Sequence, residues 1–244
     1  MKKLVSSLVV VMLFGSLAFA DAVFDEFKSG ITGYANSVIQ TRLDSFAKDL
    51  GVLLGGGSFH QGKSLGFPGF DVGIHVPFVK VKNEDVLMNA NLLALPILQA
   101  EIGLPAKFDL IARYATDNNS SFIGMGLRYG IINNSLPGLP SLSIQAVSNT
   151  LNVNAGVNKL KATTMSAACI FSINLPIITP FAGVGIDNTE VTPDSTITKL
   201  IGKSSSMRFE VGANLTLFPF TYIQFGGVLV NGDINPSAGF GIKF

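Results

Sequence analysis

The chain has 244 residues, of which 48% are hydrophobic and only 14% are charged, and its formal net charge is +1. Soluble proteins carry about 25% charged residues, so this composition excludes a disordered chain and is atypical of a cytosolic enzyme. The near-neutral charge excludes the basic surface of a nucleic-acid-binding protein, and we expect no nucleic acid among the partners. One cysteine and two histidines exclude a disulfide and leave little for a metal site, so no metal and no cofactor are predicted.

Residues 1–20 have the layout of a secretory signal peptide. Lys2 and Lys3 precede the apolar run 4–14, and the small-residue cleavage motif Ala18-Phe19-Ala20 follows. A transmembrane anchor is the alternative, but the apolar run is short for a membrane helix. We therefore expect an exported mature chain that begins at Asp21.

Residues 21–50 follow the 3.6-residue period of an amphipathic helix. The apolar positions fall near one stripe, formed by Phe24, Phe27, Ile31, Tyr34, Val38, Phe46 and Leu50. Gly55-Gly56-Gly57 then ends the helical pattern and predicts a flexible joint, so residues 21–57 form the first segment of the mature chain.

From about Pro68 the period changes from 3.6 residues to two. In Met207–Leu217 the apolar side chains alternate without a break with a second set that includes Arg208 and Glu210. Similar alternation occupies 70–78, 98–104, 107–114, 122–131 and 237–244, and turn-forming Asn, Asp, Gly and Pro residues separate these segments. The pattern predicts about ten antiparallel strands, with eight to fourteen compatible with the length.

This alternation of apolar and polar residues is found in two architectures, a soluble β-sandwich and a membrane β-barrel. The low charge leaves too few ionic groups to cover a water-exposed sandwich. Strands of about nine to eleven residues match a tilted crossing of the bilayer, and closure satisfies every backbone group in lipid. We therefore predict an all-β, up-and-down transmembrane barrel over residues 58–244, with apolar side chains facing lipid and polar ones facing the lumen. The apolar run 167–186 is predicted to be two strands joined at Asn174–Pro176 rather than a membrane helix.

The last eight residues resemble the terminal signature of bacterial outer-membrane β-barrels. The motif is carried by Ser237, Gly239, Ile242 and Phe244. This resemblance implies location in the outer membrane, contact with its lipid, and recognition by the barrel-assembly machinery. Both termini are then expected in the periplasm, with the polar stretches 82–91 and 191–205 outside the cell.

A second resemblance lies in residues 62–76. The run Ser64-Leu65-Gly66-Phe67-Pro68-Gly69-Phe70-Asp71-Val72-Gly73 is similar to a stretch in an uncharacterised family of outer-membrane barrels. A fainter similarity is to the fatty-acid transporter type, which has an N-terminal plug. Its binding residues have no counterpart here, so no site residue is carried over.

Ionisable residues on the polar face are the candidates for the lumen lining. They are Asp71, His75, Glu101, Lys107, Asp109, Arg113, Arg128, Arg208, Glu210 and Lys243. Such groups either set the selectivity of a pore or form a paired network that fills a narrow barrel. The near balance of their signs favours the paired network.

The function stays open among three hypotheses. The first is a passive conduit for a small or hydrophobic solute, with an N-terminal segment that plugs the lumen or lies along the periplasmic side. A helix is about 10–12 Å wide, so we expect a helix inside the barrel to need about twelve strands. The second is a structural or surface-interaction barrel with a filled lumen. The third is a lipid hydrolase built on His60 or His75 and Ser64, but no nucleophile elbow is present, and we expect no enzyme.

Overall fold

The computed structural model describes residues 33–80, 92–117, 119–155, 158–230 and 232–244. The predicted signal peptide, the first part of the predicted helix and the stretch 82–91 lie outside these ranges. Helix α1 spans Asn36–Gly55 and is followed by eleven strands. The strands are β1 (Phe70–Lys80), β2 (Leu92–Ala94), β3 (Ile97–Gly103), β4 (Phe108–Thr116), β5 (Ser120–Ile132), β6 (Pro140–Ala155), β7 (Asn158–Ile173), β8 (Ile178–Pro193), β9 (Gly202–Phe218), β10 (Thr221–Val230) and β11 (Asp233–Lys243).

The strands form one closed antiparallel barrel. Each strand from β3 to β11 pairs with its neighbour along the chain, and β1 closes the sheet by pairing with both β3 and β11. Strand β2 pairs with the far end of β1, so β2 and β3 together occupy one position, interrupted at Leu95-Pro96. The barrel therefore has ten strand positions, as the alternation predicted. The predicted turn at Asn174–Pro176 is confirmed, because it separates β7 from β8.

The apolar face of the strands points outward, which confirms the predicted inversion. In β9, Phe209 and Val211 are 48% and 61% exposed, whereas Arg208 and Glu210 are buried inside the barrel. Aromatic side chains are exposed around the end that carries the C-terminus, namely Phe70, Phe108, Tyr129, Phe171, Phe218, Phe220 and Phe244. An apolar band bordered by aromatic residues is the outer surface of a transmembrane β-barrel.

The opposite end of the barrel is taller on one side. Strands β6, β7 and β8 have 16 residues and β9 has 17, whereas β10 has 10 and β11 has 11. Outward-facing residues of the long strands change there from apolar to polar, since the row Ala167–Ile186–Met207 is followed by Thr163–Glu190–Lys203. Of residues 191–205, the first three end β8 and the last four begin β9, so the connecting loop is limited to 194–201.

Helix α1 lies within the barrel. Its buried side chains pack against inward-facing residues of β1, β2, β3, β5, β7, β8 and β10. The helix ends at Gly55, five residues after the last position of the predicted apolar stripe. Tyr34 and Val38 belong to that predicted stripe but are exposed. Within the described ranges, no α-helix combines the length and the apolar character that crossing a membrane requires.

The chain enters the barrel at one end and leaves it at the other. The first turns of α1 lie beside residues 201–203, where Gln40 donates to the Ile201 carbonyl and the Lys203 amide donates to Asp44. Residues 56–69 continue to the opposite end, where Phe70 and the C-terminal Phe244 exchange backbone hydrogen bonds of 3.1 and 2.8 Å. The start of the helix and the C-terminus therefore lie at opposite ends of the barrel, whereas the mature N-terminus, which was placed on the side of the C-terminus, lies outside the described residues.

An arginine placed on the outer surface of β9 tests the lipid-facing assignment. We expect Val211→Arg to lower the free energy of unfolding in lipid vesicles by about 2–4 kcal/mol, because the charge enters the hydrocarbon. Ser205→Arg is the matched control on the same face of the same strand, and its cost is expected to be about 0–1 kcal/mol because Ser205 lies among polar neighbours. The measurement is urea unfolding followed by circular dichroism. Equal losses for the two variants would contradict the assignment.

Candidate functional site: the occupied lumen

In the half of the barrel that contains the first turns of α1, apolar side chains of the helix and of the wall fill the lumen. We call this packed region the apolar seal. Ile39, Leu43, Phe46, Leu50 and Leu54 of the helix are buried. The wall contributes apolar residues from all round the barrel, namely Val79, Leu93, Ile97, Phe122, Leu160, Ala162, Val191, Val228 and Val230. This packing removes apolar surface on both partners from water, which stabilises the helix in place.

Small residues let the helix approach β8 and β9 closely. A Cβ atom added to Gly51 would lie 2.6 Å from Oγ1 of Thr189, and one added to Gly55 would lie 2.7 Å from Asp187. On the wall, a Cβ atom at Gly202 would collide with the carbonyl of Leu43. The close approach explains why ten strands accommodate a helix that was expected to need about twelve, since that expectation assumed a helix of average width.

Two buried arginines hold the C-terminal end of the helix at the middle of the barrel. Arg113 donates to the carbonyls of Leu54 and Gly56 at 2.6 and 3.0 Å. Arg208 donates to the carbonyl of Gly55 at 2.7 Å. The last carbonyls of a helix lack partners within it and carry the negative end of its dipole, so cations at this place are stabilising.

Carboxylates balance the charge of Arg208. Its Nε lies 2.9 Å from Oδ2 of Asp187, and its Nη1 lies 3.0 Å from Oε2 of Glu210, with all these side chains at most 1% exposed. Arg113 instead donates to Oδ1 of Asn149 at 3.0 Å. A buried charge is tolerated only where partners replace its water, and here the helix carbonyls act together with the wall residues.

A second ionic group fixes the segment that follows the helix. Arg128 pairs with Asp109 at 2.8 Å and with Glu101, and all three are buried. The other oxygen of Asp109 accepts the backbone N–H of Leu65 at 2.9 Å. The ion group of the wall therefore also binds the backbone of residues 56–69.

Ser58 provides a further attachment of this segment. Its carbonyl accepts hydrogen bonds from Gln99 at 3.3 Å and from Gln145 at 3.1 Å. These donors stand on β3 and β6, so the segment is held from two sides of the barrel. Its backbone groups, which have no helix partners here, are satisfied by wall side chains.

His60 forms a stacked and hydrogen-bonded cluster with the seam of the barrel, formed by β1, β10 and β11. Its Nε2 donates to Oδ2 of Asp71 at 3.0 Å, and its ring stacks on His75 and Tyr222 with centroids 5.1 and 4.8 Å apart. Tyr222 donates to the other oxygen of Asp71 at 2.9 Å, and Nδ1 of His75 donates to Gln224 at 2.6 Å.

Glycines on the seam make room for this cluster. A Cβ atom at Gly73 would lie 2.8 Å from the hydroxyl of Tyr222, and one at Gly241 would lie within 2.8 Å of its ring. The strand glycines therefore have a packing role: their missing side chains leave the space that the larger polar rings occupy.

The structure places the ten predicted lumen residues in three groups. Eight are buried inside the barrel, namely Asp71, His75, Glu101, Asp109, Arg113, Arg128, Arg208 and Glu210. Lys243 is half-buried and donates to Gln61 at 2.9 Å. Lys107 differs from the prediction, because it lies in the turn between β3 and β4 with a φ of 63° and an exposed side chain. The turn spans residues 104–107 and is one residue longer at each end than the alternation suggested, so it includes Lys107.

Several lumen residues were missing from the predicted set. Asp187 pairs with Arg208, and Tyr222 and Gln224 contact His75. Continuing the two-residue period through β8 would have found Asp187, since it follows Gly183 and Gly185 on the same face. No local signal marks His60, because residues 56–69 have no regular period.

The residues of the predicted hydrolase do not form a nucleophilic pair. Ser64 accepts a hydrogen bond from Asn133 at 3.2 Å, and Nδ1 of the buried His60 has no partner. Among the residues with described positions, no three of His, Cys, Asp and Glu are grouped to hold a metal ion. Cys169 is a free, partly exposed cysteine on β7.

The residues of the terminal signature all lie on β11 or at its end. Ser237 and Gly239 face the lumen, whereas Ile242 and Phe244 are exposed on the outer surface. Phe244 stacks on Phe220 with ring centroids 5.1 Å apart, next to the closing seam.

Comparisons with known proteins give a family and a set of distant barrels. The sequence model of a family of unknown function, DUF6588, matches residues 85–244. No functionally curated protein matches the sequence. Solved structures with a similar fold include the N-terminal barrel domain of OprF from Pseudomonas aeruginosa, at 10% identity and a TM-score of 0.34 over 75% of this chain and 98% of that one.

Two Neisserial proteins are similar at the same level. The translocator domain of the autotransporter NalP from Neisseria meningitidis has 10% identity and a TM-score of 0.36, over 88% of this chain and 99% of that one. Neisserial surface protein A has 13% identity and a TM-score of 0.30, over 72% and 96%. At these levels the matches carry no information on function.

Removal of one buried arginine tests the ionic network. We expect Arg208→Met to lower the free energy of unfolding by about 3–5 kcal/mol, because Asp187 and Glu210 are left buried without their cationic partner. Lys203→Met on the same strand is the control, since it breaks only an exposed pair with Glu190, at 3.4 Å, and should cost about 0–1 kcal/mol. Urea titration in lipid vesicles gives both values. A loss below 1 kcal/mol for Arg208→Met would show that the network is not stabilising.

Proposed function

This chain belongs to the DUF6588 family of unknown function, and we propose that it is a non-conducting outer-membrane barrel with a structural or surface-interaction role. The proposal depends mainly on one observation: Arg113 and Arg208 bind three successive carbonyls at the end of α1 in the middle of the lumen. A solute that passes through the lumen would have to break these bonds and also separate the helix from the wall in the apolar seal.

The distribution of contacts supports this reading. Residues 36–69 contact the wall along the whole lumen, first through apolar side chains, then through the two arginines, and finally through Leu65, His60 and Gln61. Release of the segment would remove helix carbonyls from Arg113 and Arg208, the amide of Leu65 from Asp109, and His60 from Asp71. The loss of these bonds, together with the exposure of the apolar seal to water, favours the occupied state.

A gated conduit is the second candidate, and one cavity favours it. A space of about 40 Å³ lies between α1 and the seam, large enough for one water molecule. It is lined by polar residues at the mouth of the barrel, among them Ser45, Lys48, Lys80 and Asn235. Because the helix is already packed closely on β8 and β9, a small solute would pass here only if the helix left its place in the lumen. Hydrolysis of lipid is not part of the proposal, because Ser64 and His60 do not form a catalytic pair.

Conductance across planar bilayers tests the proposal. We expect no conductance steps from the mature chain, since the seal and the arginine bonds close the lumen. The variant Arg113→Ala/Arg208→Ala should show intermittent steps, because the helix loses the bonds at its C-terminal end. Steady conductance of the mature chain would contradict the non-conducting reading and support the conduit.

A disulfide between helix and wall gives the matched control. The Cβ position at Gly51 lies 3.5 Å from Cβ of Thr189, which suits a disulfide. In a Cys169→Ala background, oxidised Gly51→Cys/Thr189→Cys locks the helix and reduction frees it. We expect no steps in either state. Steps that appear only after reduction, with none in the unmodified mature chain, would show that the substitutions loosen the seal.

A further inference from the structure

We infer that the N-terminal end of helix α1 is displayed on the outer face of the membrane, so that the barrel presents the first turn of this helix to the cell exterior. This inference goes beyond the proposed function, and it does not depend on whether the lumen conducts. It follows from the direction in which the helix occupies the barrel.

The ends of the barrel are distinguished by their strand extensions more than by their connections, since two or three residues join β4 to β5, β6 to β7 and β10 to β11 at the far end, where residues 194–201 form a longer loop. One end carries the paired residues Phe70 and Phe244 and the turns at 104–107, 133–139, 174–177 and 219–220. In outer-membrane barrels the short turns are periplasmic, and the longer connections and strand extensions lie outside. The ends of β6–β9 that rise above the apolar band, with Lys203 and Glu190 on their outer face, therefore belong to the exterior.

The first turns of α1 lie at this exterior end. Gln40 binds the carbonyl of Ile201 at 2.9 Å, and Asp44 accepts the amide of Lys203 at 2.7 Å. Asn36, Ser37 and Val38 are exposed, and the guanidinium of Arg42 lies 4.0 Å from the ring centre of Tyr34. The exposed beginning of the helix thus stands next to the top of β9.

The direction of the helix in the barrel cannot be reversed without losing the contacts at its C-terminal end. Its C-terminal carbonyls meet Arg113 and Arg208, and cations are favourable only at this end of a helix dipole. The segment 56–69 must also reach Phe70 at the periplasmic end. From Asn36 to Phe70 the chain therefore runs through the lumen from the exterior end to the periplasmic end before it begins β1.

Cysteine labelling in intact cells tests this inference on the full chain. Three variants are made in a Cys169→Ala background: Ser37→Cys at the helix start, Ser195→Cys between β8 and β9, and Ser135→Cys in the turn between β5 and β6. All three positions are exposed. A maleimide that does not cross membranes is applied before and after lysis, and labelling is read from the purified protein.

We expect Ser37→Cys and Ser195→Cys to be labelled at least tenfold more in intact cells than Ser135→Cys, and all three to be labelled equally after lysis. The inference would be overturned if Ser195→Cys were labelled in intact cells but Ser37→Cys only after lysis, because the helix start would then not be accessible from the cell exterior. Labelling of Ser135→Cys alone in intact cells would overturn it as well, because the barrel would then be inverted. The conductance of the mature chain is read separately, so failure here is distinguishable from failure of the proposed function.

Discussion

A narrow barrel cannot leave charged side chains in its lumen without partners, and this constraint organises the whole molecule. Arg113, Arg128 and Arg208 are each at most 1% exposed. Water reaches none of them freely, so each must find carboxylates, amides or carbonyls. The wall supplies Asp109, Asp187 and Glu210, but it does not supply enough acceptors alone. The carbonyl groups of the chain's own N-terminal segment supply the rest.

The lumen segment and the wall consequently depend on each other. The end of a helix leaves carbonyls unsatisfied, and residues 56–69 have no regular hydrogen bonds of their own. Wall donors from β3, β4, β6 and β9 satisfy these groups at Ser58, Leu54 and Gly55. The same contacts that neutralise the wall therefore hold the segment, which links the closed state of the lumen to the stability of the barrel.

Close approach is the second requirement, and small residues provide it. Gly51 and Gly55 on the helix and Gly202 on the wall each stand where a side chain would collide with the opposing element. At the seam, Gly73 and Gly241 leave space for Tyr222 and His75 in the same way. A barrel of ten strands can therefore hold both a helix and a set of polar rings, although a helix of average side chains would need a wider one.

The amino-acid sequence by itself determined the wall of this protein. The two-residue period placed Arg208 and Glu210 inside and Phe209 and Val211 outside, because the side-chain direction in a strand depends only on its position in the alternation. The composition indicated lipid rather than water as the outer solvent. Lys107 was misplaced because a turn interrupts the period there.

The contents of the lumen were decided only by the tertiary structure. Which acid pairs with Arg208, where His60 lies, and how α1 enters the barrel all depend on contacts between residues far apart in the chain, such as Gly55 with Arg208 or Gln61 with Lys243. Residues 56–69 have no period to read, since side chains of the wall and not neighbours in the chain satisfy their backbone. The direction of the helix, and with it the location of its N-terminal end, follows from those long-range bonds.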